Sequence, residues 1–171
     1  MIINFIVFIF VIFLLFCLSM IWPPDSPWAP WWRTNKKTAI AICKLANINK
    51  NDIIYDLGCG DGEVLIQSAK LGATGIGIEI DPTRVFIAKL RVKRNKLKNK
   101  IVIKKNDFFK EDISKATVVI VYLVPNALKR LLPKFKKELK KGTKVVSFIY
   151  EIEGLKPIKI DSKNRLKIYI I

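Results

Sequence analysis

Ile54-Tyr55-Asp56-Leu57-Gly58-Cys59-Gly60-Asp61-Gly62 is followed, seventeen residues on, by Glu79 at the end of a second apolar run. The first stretch reads as a buried strand entering a turn with three glycines, and Glu63 to Leu71 reads as the helix that the turn opens. Glycine lets bare backbone approach a ligand, and an acid at the tip of the neighbouring strand can accept hydrogen bonds from ribose hydroxyls. The arrangement predicts an adenosine site.

The spacing says which nucleotide. A dinucleotide site uses G-x-G-x-x-G and aims a helix N-terminus at a pyrophosphate. Here Asp56 and Asp61 flank Gly58, Gly60 and Gly62, and two carboxylates would repel a pyrophosphate. They suit a ligand with a cation at that end. The methionine half of S-adenosylmethionine (SAM) carries an ammonium and a sulfonium. The turn resembles motif I of the class I, seven-β-strand methyltransferases. That resemblance implies SAM as cofactor. Asp56 is then expected to orient the turn and reach the ammonium, Gly58, Cys59, Gly60 and Gly62 to line the approach, and Asp61 to face the methionine moiety. Glu79 is expected on the ribose and Ile80 on the adenine. Asp107 and Phe108, after the third strand, are expected at the adenine amino group and ring, although Asp107 also reads as a plain turn residue.

Composition bounds the rest. The chain has 171 residues, 31 Lys and Arg against 14 Asp and Glu, and no histidine. Histidine-dependent triads, His-ligated zinc and imidazole bases are therefore excluded. Cys17, Cys43 and Cys59 make an odd number and suggest no disulfide framework. Residues 1–22 carry no charge and are almost all Ile, Val, Phe and Leu. About 20 such residues span a bilayer core of roughly 30 Å, so the segment predicts a transmembrane anchor. Residues 23–33 read as a Pro/Trp-rich interfacial linker, with Trp22, Trp28, Trp31 and Trp32 as an aromatic belt. Every Lys and Arg lies at or after Arg33, and Asp25 is the one acid before it. Arg33, Lys36 and Lys37 then predict a single-pass protein with residues 34–171, the catalytic domain, in the cytoplasm. The excess of bases also suits an anionic lipid surface and, less well, nucleic acid.

Outward from the glycine turn, strand and helix alternate. Helices are expected over Thr34 to Ala46 (capped by Thr34 or Asn35), Glu63 to Leu71, Pro82 to about Leu97 and Asn126 to Leu139, the last broken or kinked at Pro133. Strands are expected over Asp52 to Leu57, Ala73 to Ile80, Ile101 to Lys104, Ala116 to Tyr122 and Thr143 to Tyr150. Leu155–Ile160 and Leu166–Ile171 read as a closing hairpin around Ser162-Lys163-Asn164. The order predicts a Rossmann-like α/β fold: a mostly parallel seven-stranded sheet, helices on both faces, and a C-terminal antiparallel hairpin.

Tyr122-Leu123-Val124-Pro125 ends the fourth strand, where the resemblance puts the methyl acceptor, and makes Tyr122 and Asn126 the candidate acceptor contacts. An Asn-Pro-Pro-Tyr motif, which would indicate an amide or nucleobase nitrogen, is absent. The apolar segment, the Asp-Leu-Gly-x-Gly-Asp-Gly turn and Tyr-Leu-x-Pro together resemble the membrane-anchored protein lysine methyltransferases related to the ATP synthase c-subunit methyltransferase family. The similarity runs from about Thr34 to Ile149. It implies a membrane-associated protein as substrate. RNA, lipid or small-molecule acceptors, or a non-catalytic SAM-binding module, are the alternatives.

Overall fold

The computed structural model describes residues 2–21 and 32–171, with side chains of 19–21 outside the description. Twelve elements follow one another along the described chain. Helix α1 (Ile2–Ile21) and α2 (Lys36–Ala46) precede the first strand. Then come β1 (Ile53–Leu57), α3 (Glu63–Lys70), β2 (Thr74–Glu79), α4 (Pro82–Arg94), β3 (Ile101–Lys105) and β4 (Val118–Val121). Helix α5 (Pro125–Glu138), β5 (Lys144–Phe148), β6 (Lys159–Asp161) and β7 (Leu166–Ile170) complete the chain.

The seven strands form one sheet in the order β3-β2-β1-β4-β5-β7-β6. Strands β1 to β5 run parallel, and β7 pairs antiparallel with both β5 and β6. Strand order reverses between β1 and β4, and in such sheets ligands bind beyond the carboxyl ends of the strands at that switch. The pleat splits the core into two layers. Ile54, Val118, Ile120 and Val146 face α2, α3 and α4, while Tyr55, Leu57, Val119, Val121 and Val145 face α5. Burial on both sides explains why Val118–Val121 is an unbroken β-branched run.

Local chemistry sets the helix ends. The Asn35 side chain accepts from Thr38 N–H and caps α2, and Asp81 accepts from Arg84 N–H ahead of Pro82 in α4. Helix α5 runs through Pro133, contrary to the expected break. Pro133 and Lys129, whose carbonyl loses its partner, are both exposed, so water can satisfy that carbonyl. Residues 149–158 form no helix before the hairpin.

The N-terminal expectation is overturned. Helix α1 forms, and its large apolar side chains from Ile2 to Leu18 are exposed. Among the described residues, however, no helix is long and apolar enough to cross a membrane. The transmembrane helix, and with it the single-pass localisation with a cytoplasmic domain, is therefore not supported. The tryptophan belt at Trp22, Trp28 and Trp31 and most of the 23–33 linker lie outside the described residues.

Candidate active site

The turn after β1 is built from backbone hydrogen bonds and positive φ angles. Gly58 and Cys59 N–H both donate to the Ile78 carbonyl, at 2.8 and 3.1 Å, and Gly62 N–H donates to Cys59 O at 2.9 Å. Gly58, Gly60 and Gly62 have φ of 80°, 54° and 76°, a region that residues with a Cβ adopt at a cost. Gly62 is also the N-cap of α3. A different demand acts at Gly77 in β2, where a Cβ would sit 2.7 Å from both Cys59 Sγ and Leu65 Cδ1. The bare strand lets α3 and the glycine turn lie close against the sheet.

Glu79, the last residue of β2, ties the two strand ends together. One carboxylate oxygen accepts from Gly60 N–H at 2.9 Å, and the other from Ile80 and Asp81 N–H at 3.0 and 3.1 Å. The carboxylate is thus fixed in orientation. Of its roughly four lone-pair sites, about one remains to accept from a ribose hydroxyl.

A cleft open to solvent lies over this turn. Asp56, Gly58, Cys59, Gly60, Asp61, Glu79, Ile80, Phe108 and Tyr122 all line it. Three expected residues are absent from the lining. Gly62 sits behind the turn as the helix cap, Asp107 accepts from Phe109 N–H in a tight turn, and Asn126 is exposed in the first turn of α5. Sequence reading did not single out Arg84 and Phe148, which also line the cavity, and it assigned Trp32 and Thr34 elsewhere. No short motif marks these four. Phe148 could have been flagged by its position at the end of β5, beside the switch point.

Charges divide within the cavity. Asp56 is buried, and no hydrogen bond reaches its carboxylate among the described residues. Burial, then repulsion from Glu79 and Asp61, pushes its carboxyl up to about 7. The same burial, with Asp56 and Glu79 nearby, holds the Cys59 thiol well above its usual range, so it is a packing group rather than a nucleophile. Asp61, in contrast, is held by two arginines: Arg33 Nε and Arg91 Nη1 both lie 2.6 Å from Oδ2. Arg91 also bonds Glu63. Burial raises the Glu63 carboxyl, but its bonds from Gln67 and Arg91 outweigh this and hold it below its ordinary value. On the far side, Tyr122 and Phe148 stack obliquely with centroids 4.5 Å apart. Burial, then Tyr150, holds the Tyr122 phenol above its ordinary value.

Comparison with known proteins shows the family. The profile of the ANTKMT methyltransferase domain matches residues 56–159. The chain belongs to that family. It is 39% identical over 150 residues to a protein-lysine N-methyltransferase of Saccharolobus islandicus, covering 85% of this chain and 91% of the relative. It is 26% identical to the ATP synthase c-subunit lysine N-methyltransferase of Xenopus laevis, covering 71% of this chain and 52% of that protein. Among solved structures, the RNA methyltransferase from Salinibacter ruber in complex with S-adenosyl-L-homocysteine superposes with a TM-score of 0.77 and 35% identity. The match covers 81% of this chain and 92% of that one.

This member of the ANTKMT methyltransferase family is a class I SAM-dependent enzyme, and SAM is its cofactor. The residues present fit that cofactor. A buried carboxyl without a hydrogen-bond partner among the described residues, raised by like charges, gains most from a cation. SAM brings an ammonium and a sulfonium.

Proposed function

We propose that the enzyme methylates the side-chain nitrogen of a protein lysine. In this reading Asp56 holds the ammonium of SAM, Glu79 the ribose, and Ile80 and Phe108 the adenine, with the backbone of Gly58, Cys59 and Gly60 against the ligand. The domain responsible is residues 34–171. SAM supplies a methyl group already activated by its sulfonium, ready for in-line displacement.

The residues of the chain then have positioning to do. Fixed by three backbone N–H groups, Glu79 sets where the nucleoside sits. Tyr122 and Phe148 wall the side toward β4 and β5. Aromatic faces attract an ammonium and its methylated forms, which suits a lysine entering there. The chain has no histidine, and the raised Tyr122 phenol stays protonated at neutral pH. Neither group supplies a base.

The observation that carries the lysine reading is the 39% identity, across most of both chains, to a protein named for protein-lysine methylation. A second reading, methylation of RNA, is favoured by the name of the Salinibacter neighbour and by the net charge of +17. Incubation with radiolabelled SAM and a cell extract separates them. The lysine reading expects label that protease releases, nuclease leaves, and acid hydrolysis yields as methyl-lysine. Label lost to nuclease would replace it with the RNA reading.

A further inference from the structure

The segment just before α2 does more than connect. Trp32 and Thr34 both line the cofactor cavity, and between them Arg33 reaches Asp61. Asp61 already has a dedicated cation. Arg91 bonds its carboxylate and its backbone carbonyl, and also Glu63. With a side chain only 23% exposed, Arg91 is committed to holding the turn. Arg33 differs. Its side chain is 58% exposed, and among the described residues only Nε is engaged. A guanidinium has five N–H donors in a fixed fork, so both Nη groups remain available beside the cavity.

The cavity therefore has two unlike poles. Asp56 in its wall is a buried acceptor with no donor among the described residues, and Arg33, set just behind the lining on Asp61 and between the lining residues Trp32 and Thr34, is a donor fork with no second acceptor among them. A ligand with ammonium and carboxylate on one carbon meets both demands. The amino-acid tail of SAM is such a group.

We propose that Arg33 binds the tail carboxylate of SAM through its Nη groups, while Nε stays on Asp61. This assignment rests on the cofactor site proposed above and adds a residue outside the glycine turn to it. Asp61 is then a positioning residue, holding the Arg33 fork rather than the ligand ammonium. It also gives the 32–34 segment a function, as a wall of the site that the ligand tail fastens down. The rival is a latch, in which Arg33 fills the place of the ligand cation on Asp61 and must leave when the ligand binds.

Calorimetry with the full chain separates the two, using S-adenosylhomocysteine and decarboxylated SAM, which keeps the ammonium and lacks the carboxylate. Arg33→Gln is expected to weaken S-adenosylhomocysteine by about tenfold to a hundredfold, the range of a charge-assisted bond. Binding of decarboxylated SAM should stay within about twofold. Arg33→Lys, a point charge without the fork, should fall between. Equal weakening of both ligands would assign Arg33 to packing alone and overturn the proposal. Unchanged or tighter binding of S-adenosylhomocysteine would overturn it in favour of the latch. Asp56→Asn is the control: weakening there without weakening in Arg33→Gln leaves the cofactor site standing and removes Arg33. No binding by the unaltered chain would remove the site itself.

Discussion

The two halves of the cavity solve different problems. On the β1–β2 side, charge and backbone are fixed: Glu79 is held by three N–H groups, and Asp61 by two arginines. On the β4–β5 side, Tyr122 and Phe148 offer faces and few directed bonds. Ile149, just beyond, sits at φ 71°, an unusual conformation for a β-branched residue. The first half has the rigidity that recognising one invariant ligand requires. The second has the looser chemistry that suits an acceptor presented by another molecule.

That contrast can be broken by mutations whose effects should fall on one half and spare the other. The largest effect is expected from Glu79→Gln. An amide NH2 would face a backbone N–H donor on one side, so one buried pair is lost along with the charge on the ribose side. Binding of S-adenosylhomocysteine should drop by about a hundredfold, and stability by about 1–3 kcal/mol, read by calorimetry and urea denaturation. Next is Gly77→Ala. It touches no ligand, but its Cβ would meet Leu65 and Cys59, so a loss of about 1–3 kcal/mol is expected in denaturation.

Asp56→Asn should cost about tenfold in S-adenosylhomocysteine affinity and change the pH profile. The folded-state carboxyl is raised from 3.8 to about 7. Its contribution to stability is therefore full below pH 3.8 and lost as pH rises through about 7. Over the same window the unaltered enzyme should bind the cationic ligand more tightly as pH rises, because ionised Asp56 is the form that receives it. The variant should be flat in both respects, as denaturation and calorimetry at stepped pH would report. The smallest effect is expected from Tyr122→Phe. The ring is kept, so cofactor affinity should be unchanged and kcat/KM for the acceptor should fall by only a few-fold. A change in cofactor affinity there would erase the division between the halves.

The same division governed what could be read from the sequence. Asp56, Gly58, Gly60 and Glu79 were legible because a nucleoside site requires glycine at positive φ and an acid one strand away. The parallel α/β class followed from strand and helix patterns that alternate along the chain. Phe148 and Thr34 were not legible, since an aromatic wall can be assembled from many residues at any strand end. Gly77 was read as part of a strand, without its packing role, because the side chain it accommodates, Leu65, is twelve residues away. Pro133 misled because local propensity says nothing of whether the freed carbonyl faces water. At the N-terminus, an uncharged run predicted a membrane-spanning helix that the described residues do not provide.

A crystal structure of the full chain with S-adenosylhomocysteine would put the cofactor site to its hardest test. A ribose hydroxyl is expected on the Glu79 carboxylate and the tail ammonium on Asp56. A nucleoside seated elsewhere, with Asp56 and Glu79 contacting only protein, would contradict the assignment.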